Sequence, residues 1–170
     1  IVVSATTLVS VEEYLATTRD PDCDYVDGEI LERNMGETEH GGLQAALTGW
    51  LYANRKRLGI HVFTETRVQV KPARFRIPDI CVATGARPSE RILTTPPFLC
   101  IEILSPEDRM SRMTERIDDY LAMGVSFIWV VDPASRRGWV HTSDAIREAK
   151  DGVLRTSNPE IAVPIAELFD

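Results

Sequence analysis

Two short apolar stretches near the middle of the chain each carry one acidic residue. Residues 75–82 and 97–104 are bounded by turn segments rich in Pro or Gly and have the length of strands. In residues 99–104 both faces are apolar apart from Glu102, which is typical of a strand covered on both sides. The pattern therefore predicts two buried strands, the first containing Asp79 and the second containing Glu102.

Apolar residues at helical spacing predict a long helix before these strands, from Thr38 to Leu58. His40 lies over the N-terminal end of its apolar stripe and is expected to point inward, where either a backbone partner or a role at a functional site would explain it. The segment 61–70 alternates in the period of a strand, and residues 71–74 are expected to turn it into the Asp79 strand as a hairpin.

A second helix is predicted directly after the Glu102 strand. Ser105 as the N-cap and Pro106 at the first helical position mark its start, and Gly124 marks its end. Its residues form an apolar stripe of Met110, Met113, Ile117, Tyr120 and Leu121, flanked by a row of Arg109, Arg112 and Arg116. The apolar segment 127–131 follows, and a strand, a helix and another apolar strand predict a crossover between parallel strands.

Shorter elements complete the predicted chain. Ser10 caps a short helix over residues 10–15, and an Asp-Gly turn joins a hairpin over residues 25–31, whose acids Asp24 and Glu29 are interpreted as solvated. Residues 83–97 read as a surface loop. Residues 139–141 and 153–154 are predicted edge strands, and residues 161–169 a tail packed on the surface.

The two buried acids call for electrical compensation. An ionised carboxylate removed from water costs several kcal/mol unless it is paired, neutralised or bound to a cation. If their strands are neighbours, Asp79 and Glu102 converge, and two close carboxylates are relieved by a shared proton or a divalent metal. Magnesium needs only one or two protein carboxylates with water and phosphate oxygens, so Mg²⁺ or Mn²⁺ suits this sparse set, with His40, Glu65, Glu29 or water as the third ligand.

Composition narrows the class of protein. With 170 residues and 44% hydrophobic composition, the chain is expected to form one domain over residues 1–170. Its net charge of -7 argues against a general nucleic-acid coat, although a local basic patch stays compatible with it. The sequence has three cysteines without CxxC spacing, which favours a reducing cytoplasm. It also has no apolar run long enough to span a membrane and no leader segment, which agrees with that expectation.

The combined order of several motifs resembles a known family. A hairpin carrying Pro78-Asp79, then Glu102-Ile103-Leu104 and a helix resembles the PD-(D/E)xK nuclease core. More closely, the chain resembles the Uma family of restriction-endonuclease-like proteins, through segments that cover most of its length: Tyr25-Val26-Asp27-Gly28-Glu29, His40, Arg76-Ile77-Pro78-Asp79, Glu102-Ile103-Leu104-Ser105-Pro106, Tyr120-Leu121-Ala122-Met123-Gly124-Val125 and Trp129-Val130-Val131-Asp132-Pro133.

This resemblance implies an α/β (α+β) fold class with a restriction-endonuclease-like core, in which helices flank a mixed central sheet in αβββαβ order. The N-terminal helix and hairpin, residues 10–33, would precede that core. It also implies a metal-dependent endonuclease that hydrolyses phosphodiester bonds in DNA, with Asp79 and Glu102 as ligands of Mg²⁺ or Mn²⁺. The lysine expected two residues after Glu102 is replaced by Leu104, and by position the assisting cation is Arg116.

Arg116 could stabilise charge on a phosphate but could not readily take a proton from water, which would leave water activation to the metal or to His40. Two other readings stay open. The chain could be a catalytically inactive binding or assembly protein with a nuclease fold, or Glu102 and Arg116 could be a structural ion pair. By analogy with restriction-type enzymes, a homodimer is also expected.

Overall fold

The computed structural model of the protein describes residues 7–34 and 36–170, so residues 1–6 of the expected domain lie outside the described part. The described helices are α1 (Val11–Ala16), α2 (Thr38–Leu58), α3 (Met110–Met123) and a 3-10 helix (Ile165–Leu168). The described strands are β1 (Asp24–Val26), β2 (Glu29–Leu31), β3 (Ile60–Thr64), β4 (Val68–Lys71), β5 (Arg74–Arg76), β6 (Ile80–Thr84), β7 (Leu99–Ile103), β8 (Phe127–Asp132), β9 (Arg137–His141), β10 (Ile146–Glu148), β11 (Val153–Arg155) and β12 (Ala162–Pro164).

A mixed sheet of six strands, in the order β10-β9-β8-β7-β6-β3, forms the centre of the fold. Its β7 and β8 run parallel, joined through α3, and every other neighbouring pair is antiparallel. α2 packs on one face through Leu43, Leu47 and Leu51, and α3 covers the other face. The elements α2, β3, β6, β7, α3 and β8 follow the expected αβββαβ order, with β4 and β5 inserted before β6.

The buried strand β7 separates these two packing layers. All five of its residues are buried, as its apolar pattern predicts. Because alternate residues of a strand face opposite sides, Leu99, Ile101 and Ile103 pack in the cluster on the α2 face, and Cys100 packs in the cluster on the α3 face. Glu102 shares the second face and therefore points at α3.

A smaller sheet, in the order β2-β1-β5-β4, contains the predicted Asp-Gly hairpin. It corrects two strand predictions. The strand expected over 61–70 divides into β3 and β4, which belong to different sheets, and Glu65 between them has a positive φ of 48°. The strand expected over 75–82 divides into β5 and β6, because Pro78 has no N–H to continue a ladder. Asp79 therefore lies immediately before β6.

The start of α3 corrects a third prediction. The helix begins at Met110 with Arg109 as N-cap, five residues after Ser105. Instead of capping a helix, Ser105 belongs to a turn in which its backbone N–H donates to Asp108 Oδ2 at 2.7 Å. Asn34 holds this turn from outside, with donated bonds of 3.2 Å to Ser105 Oγ and 2.8 Å to Asp108 Oδ1. Met110 is consequently 79% exposed and not part of the buried stripe.

The C-terminal part of the chain is more deeply packed than its sequence pattern indicates. β9 pairs with β8 on one side and β10 on the other, so β10 and not β9 forms the edge of the sheet. The expected surface tail contains β12 and the 3-10 helix. Its buried side chains join the core on the α2 face: Ile161, Val163, Ile165 and Leu168. Within the described residues, no helix has the length and apolarity needed to cross a bilayer.

Candidate active site

The two acids picked out by sequence lie side by side where β6 begins and β7 ends. The antiparallel register pairs Ile80 with Ile101, so one further step along each chain places Asp79 opposite Glu102. Their exposed fractions are only 3% and 2%, respectively. The neighbouring strands thus bring two buried carboxylates together although 22 residues of other structure separate them in the chain.

Asp79 is held by three donors from three parts of the fold. Arg33 Nη2 lies 2.9 Å from Oδ1, the backbone N–H of Ile103 donates to Oδ2 at 2.7 Å, and His40 Nε2 lies 3.3 Å from Oδ2. Burial by itself raises the pKa of Asp79, but the hydrogen bond and charge of His40 outweigh it and leave the pKa below its ordinary value. The same hydrogen bond raises the pKa of His40.

Glu102 has fewer partners and the opposite electrostatic balance. Its Oε1 accepts a 2.6 Å hydrogen bond from the Tyr120 hydroxyl and lies 3.2 Å from Arg116 Nη2. Burial raises the pKa of Glu102 to about 7, against the lowering effect of Arg116, and the charge of Asp79 adds to the rise. The pair therefore consists of one carboxylate that stays ionised and one that can hold a proton near neutral pH.

Arg116 connects the site to a string of alternating charges. It donates to the carbonyl of Ile77 at 2.9 Å, and its Nε lies 3.6 Å from Asp24 Oδ2. Burial alone would lower its pKa, but the charges of Asp24 and Glu102 hold that pKa well above its ordinary value, so Arg116 is a permanent cation.

The string continues between the small sheet and α3. Asp24 Oδ2 lies 3.2 Å from Arg76 Nη1, and Arg76 Nη2 lies 2.7 Å from Asp119 Oδ2. We call this set the buried ionic network: Glu102, Arg116, Asp24, Arg76 and Asp119. Asp24 is 3% exposed and also accepts from the backbone N–H of Ile77, so its interpretation as a solvated hairpin acid is wrong.

Other residues considered from the sequence lie around this pair. Glu65 is 3.9 Å from Arg33, with 57% of its side chain exposed, and Glu29 is exposed on the wall of a neighbouring cleft. The backbone N–H of Glu65 donates to the carbonyl of Asp79 at 3.2 Å, but within the described residues no side-chain hydrogen bond or ion pair joins either acid to Asp79 or Glu102. Leu104 packs with the apolar cluster on the α3 face and lines a separate groove. Of the candidate third ligands, His40 is therefore the one whose side chain contacts a side chain of the pair.

A small cavity opens between the two carboxylates and their cationic partners. Its volume is about 20 Å³, enough for one water-sized particle, and Arg33, His40, Asp79, Glu102 and Arg116 line it. Within the described part of the chain, no group of three or more His, Cys, Asp or Glu side chains could hold a metal ion. Two carboxylates do suffice for Mg²⁺ when water completes its shell, and no hydrogen bond from a described residue occupies Glu102 Oε2. Both oxygens of Asp79 already have donors, so the donor set fits a magnesium-like ion when Arg33 gives up Asp79 Oδ1.

A larger cleft adjoins this cavity on the side of the small sheet. It has a volume of about 430 Å³ and shares Arg33, Asn34, Asp108, Met113 and Arg116 with the cavity. We call it the arginine cleft after five of its lining residues: Arg33, Arg76, Arg109, Arg112 and Arg116. Its lining also carries six acids: Asp24, Glu29, Glu32, Glu107, Asp108 and Glu115. Arg109 and Arg112 are exposed, so this cleft presents free cationic groups beside the carboxylate pair.

Sequence reasoning missed three of the residues that build the site: Arg33, Asp24 and Tyr120. Arg33 follows β2 in a segment without periodicity, and nothing in the sequence signals its contact with Asp79. Asp24 stands between Cys23 and Tyr25, which are both buried, but an acid beside a turn is usually solvated. Tyr120 had a signal, because it lies four residues after Arg116 and so one helical turn away on α3.

The chain matches one family model and the fold of a solved nuclease. The model of the Uma2 family, described as "Putative restriction endonuclease", matches residues 11–164. A crystal structure of a "putative nuclease belonging to DUF820" from Anabaena variabilis is similar with a TM-score of 0.81 and 22% identity, covering 95% of this chain and 97% of that one. No curated protein matches significantly. The similarity confirms the predicted fold class, a restriction-endonuclease-like core with a mixed sheet flanked by helices.

Proposed function

Because the chain belongs to the Uma2 family of restriction-endonuclease-like proteins, we propose that it is a metal-dependent endonuclease that hydrolyses phosphodiester bonds in DNA. One observation carries the proposal. Two buried carboxylates, Asp79 and Glu102, meet at a water-sized cavity, where one oxygen of Glu102 has no donor among the described residues and permanent cations stand on both sides.

In this proposal Asp79 and Glu102 hold Mg²⁺ or Mn²⁺. When bound, such an ion supplies positive charge to a phosphate and lowers the pKa of a water. Ionised Glu102 is the form that binds a cation, so its raised pKa makes metal affinity fall as pH drops below about 7. Asp79 has a lowered pKa and is ionised throughout that range.

The chain's own cations complete the proposed chemistry. Arg116 is fixed at Nη2 by Ile77 and Glu102, so it offers a preorganised positive charge to the developing charge on a phosphate. Since its pKa lies well above its ordinary value, it cannot act as a base. His40 holds a proton at Nε2 against Asp79 Oδ2 and thereby positions that carboxylate, and its imidazole can carry a proton to or from the pair.

Two exposed arginines of the neighbouring arginine cleft, whose lining also carries acids, support a polyanionic substrate. Arg109 and Arg112 are exposed on its wall and can neutralise phosphates on either side of the bond that is cut. The rest of the protein is acidic, with a net charge of -7, so binding should depend on this cleft and fall steeply with salt.

The proposal is tested by the nicking of supercoiled plasmid DNA with Mg²⁺ or Mn²⁺, and with EDTA as a blank. We expect metal-dependent cleavage that Asp79→Asn abolishes, while Glu148→Gln, on strand β10 at the far edge of the sheet, leaves it intact. The preference for DNA is measured by comparing the cleavage of a single-stranded RNA with that of a single-stranded DNA of the same length. Cleavage that persists unchanged in Asp79→Asn would overturn the assignment of the site.

A second function is favoured by the ion pairs of the site. Arg33 and Arg116 already neutralise Asp79 and Glu102, and Leu104 stands where the nuclease superfamily has a lysine. A nuclease fold with this arrangement could serve as an inactive binding or assembly protein. Calorimetric titration separates the two: Mg²⁺ binding that disappears in Asp79→Asn supports the enzyme, and the absence of site-specific binding supports the inactive protein.

The proposal includes a cellular setting. The three thiols are free and buried, which supports a reducing cytoplasm. We also infer that residues 1–170 act as a single domain, and that two copies associate as a homodimer, by analogy with restriction-type enzymes. Sedimentation analysis measures this association directly.

A further inference from the structure

An apolar groove adjoins both the carboxylate cavity and the arginine cleft. It has a volume of about 350 Å³ and runs between α3 and the strands β8, β9 and β10. We call it the Trp139 groove, and its apolar walls come from Leu104, Met110, Met113, Ile117, Val130, Trp139 and Ile146.

The groove exists because α3 starts late. The helix begins at Met110, and β9 and β10 extend the sheet past the area that α3 covers. Met110 and Ile146 are left 79% and 67% exposed on the groove. They are two of only four large hydrophobic residues that are exposed in the described part of the chain. An open apolar site of this kind, next to polar chemistry, is typical of ligand binding.

The groove is continuous with the proposed active site. It shares Ser105, Asp108 and Met113 with the carboxylate cavity, and Asp108, Arg109 and Met113 with the arginine cleft. A ligand in the groove can therefore be covalently continuous with a phosphate beside Asp79 and Glu102. Arg109 stands at this junction as an exposed cation, so an anion is favoured where the two spaces meet.

The size and chemistry of the groove suit a single flat aromatic group. Its volume is at the lower end of the range of small-molecule sites, which is too small for a duplex or a partner helix. Trp139 is half-buried on β9, with the Arg137 guanidinium 5.3 Å from the centre of its ring. Thr114, Ser105 and His141 add hydrogen-bonding groups at the walls. Aromatic and thioether surfaces with a few polar groups are what a nucleobase needs.

We propose that the Trp139 groove binds one unstacked nucleobase of the strand whose phosphate lies at the carboxylate pair. The substrate is then single-stranded or locally unpaired nucleic acid. This inference rests on the proposed nuclease function and adds the substrate class. Trp139 provides the stacking surface and acts as a substrate-binding residue, with no part in bond cleavage.

The experiment measures binding by fluorescence anisotropy in EDTA, where turnover is blocked. The probes are a labelled oligodeoxythymidylate and an abasic oligonucleotide of the same length, which carries the same phosphates without bases. We expect the wild-type protein to bind the base-bearing strand more tightly by roughly 5- to 100-fold, the range that stacking on one aromatic side chain provides. Trp139→Leu should remove this preference, and Trp139→Phe should keep most of it. Trp50→Leu, a partly buried tryptophan on α2, is the matched control and should keep all of it.

The outcomes separate the two proposals. Equal binding of both probes by the wild-type protein, or a preference that survives Trp139→Leu, overturns the nucleobase site and leaves the nuclease proposal standing. Failure to bind either probe overturns the nucleobase site, and the metal-dependent nicking of plasmid DNA then decides the nuclease proposal on its own. Sedimentation velocity adds one further arm: a dimer that Ile146→Lys dissociates would mean that a second copy covers the groove, and it would also overturn the nucleobase site.

Discussion

Replacing Glu102 by Gln should change how the stability of the protein depends on pH. The substitution keeps the shape of the side chain and removes its ionisable proton. Glu102 is 2% exposed, and burial raises its pKa from 4.5 to about 7 in the folded protein. The folded state therefore binds this proton more tightly than the unfolded state does, and the stability gained from it is fully present below pH 4.5 and is lost as the pH rises through about 7.

The size of the effect follows from that pKa difference. At about 1.36 kcal/mol per pKa unit, the full contribution of Glu102 is about 3 kcal/mol, and about 2.5 kcal/mol of it is lost between roughly pH 5 and pH 8. The raised pKa of His40 gives a slope of the same sign, but His40 is present in both proteins and cancels in the comparison. Asp79 has a lowered pKa, so its contribution is lost only at more acidic pH.

Urea unfolding followed by circular dichroism in EDTA, at several pH values from about 5 to 8, measures this difference. We expect the free energy of unfolding of the wild-type protein to fall relative to Glu102→Gln by about 2 to 3 kcal/mol over this range. Glu148→Gln should follow the wild-type curve over this range, because the hydrogen bond from Arg137 lowers the pKa of Glu148 and its titration lies at more acidic pH. Parallel curves for wild type and Glu102→Gln would refute the reasoning, because Glu102 would then titrate as an ordinary exposed acid.

Two further predictions concern the partners of the carboxylate pair. Arg33→Met removes the cation at 2.9 Å from Asp79 Oδ1, so Mg²⁺ should raise the melting temperature of this variant more than that of the wild type. The control variant Arg112→Met alters an exposed arginine of the same cleft and should respond like the wild type. An equal response of all three proteins would contradict the competition. Tyr120→Phe removes the 2.6 Å hydrogen bond to buried Glu102 and should lower the free energy of unfolding by about 1 to 3 kcal/mol in urea titration; an unchanged value would show that Oε1 finds another donor.

Elements specified by their own residues could be predicted from sequence, and elements specified by distant contacts could not. The bounds of α2, from Thr38 to Leu58, follow directly from a leucine stripe and a C-terminal Gly59. The start of α3 does not follow from Ser105 and Pro106, because Asn34, 71 residues away from Ser105, holds them in a separate turn. Local capping signals were present, but a tertiary contact overrode them.

The same division applies to the candidate site. An acid inside an apolar strand stands out in the sequence, because the free-energy cost of burying its charge must be compensated by a partner. Asp79 and Glu102 could be identified in this way. The compensating groups are less visible, because a surface-like sequence context surrounds both Arg33 and Asp24. Their burial depends on how the small sheet docks against α3, which no periodicity encodes. The division of residues 61–82 between two sheets was missed for the same reason.

The buried ionic network restricts how the sequence can drift. From Glu102 through Arg116, Asp24 and Arg76 to Asp119, every inner member neutralises a neighbour on each side. Replacing one of them alone strands an opposite charge in the interior, which typically costs 3 to 5 kcal/mol, roughly a third or more of the stability of many domains. Lineages should therefore exchange these positions in compensating pairs, and a carboxylate on the small sheet and a guanidinium on α3 should be inherited together.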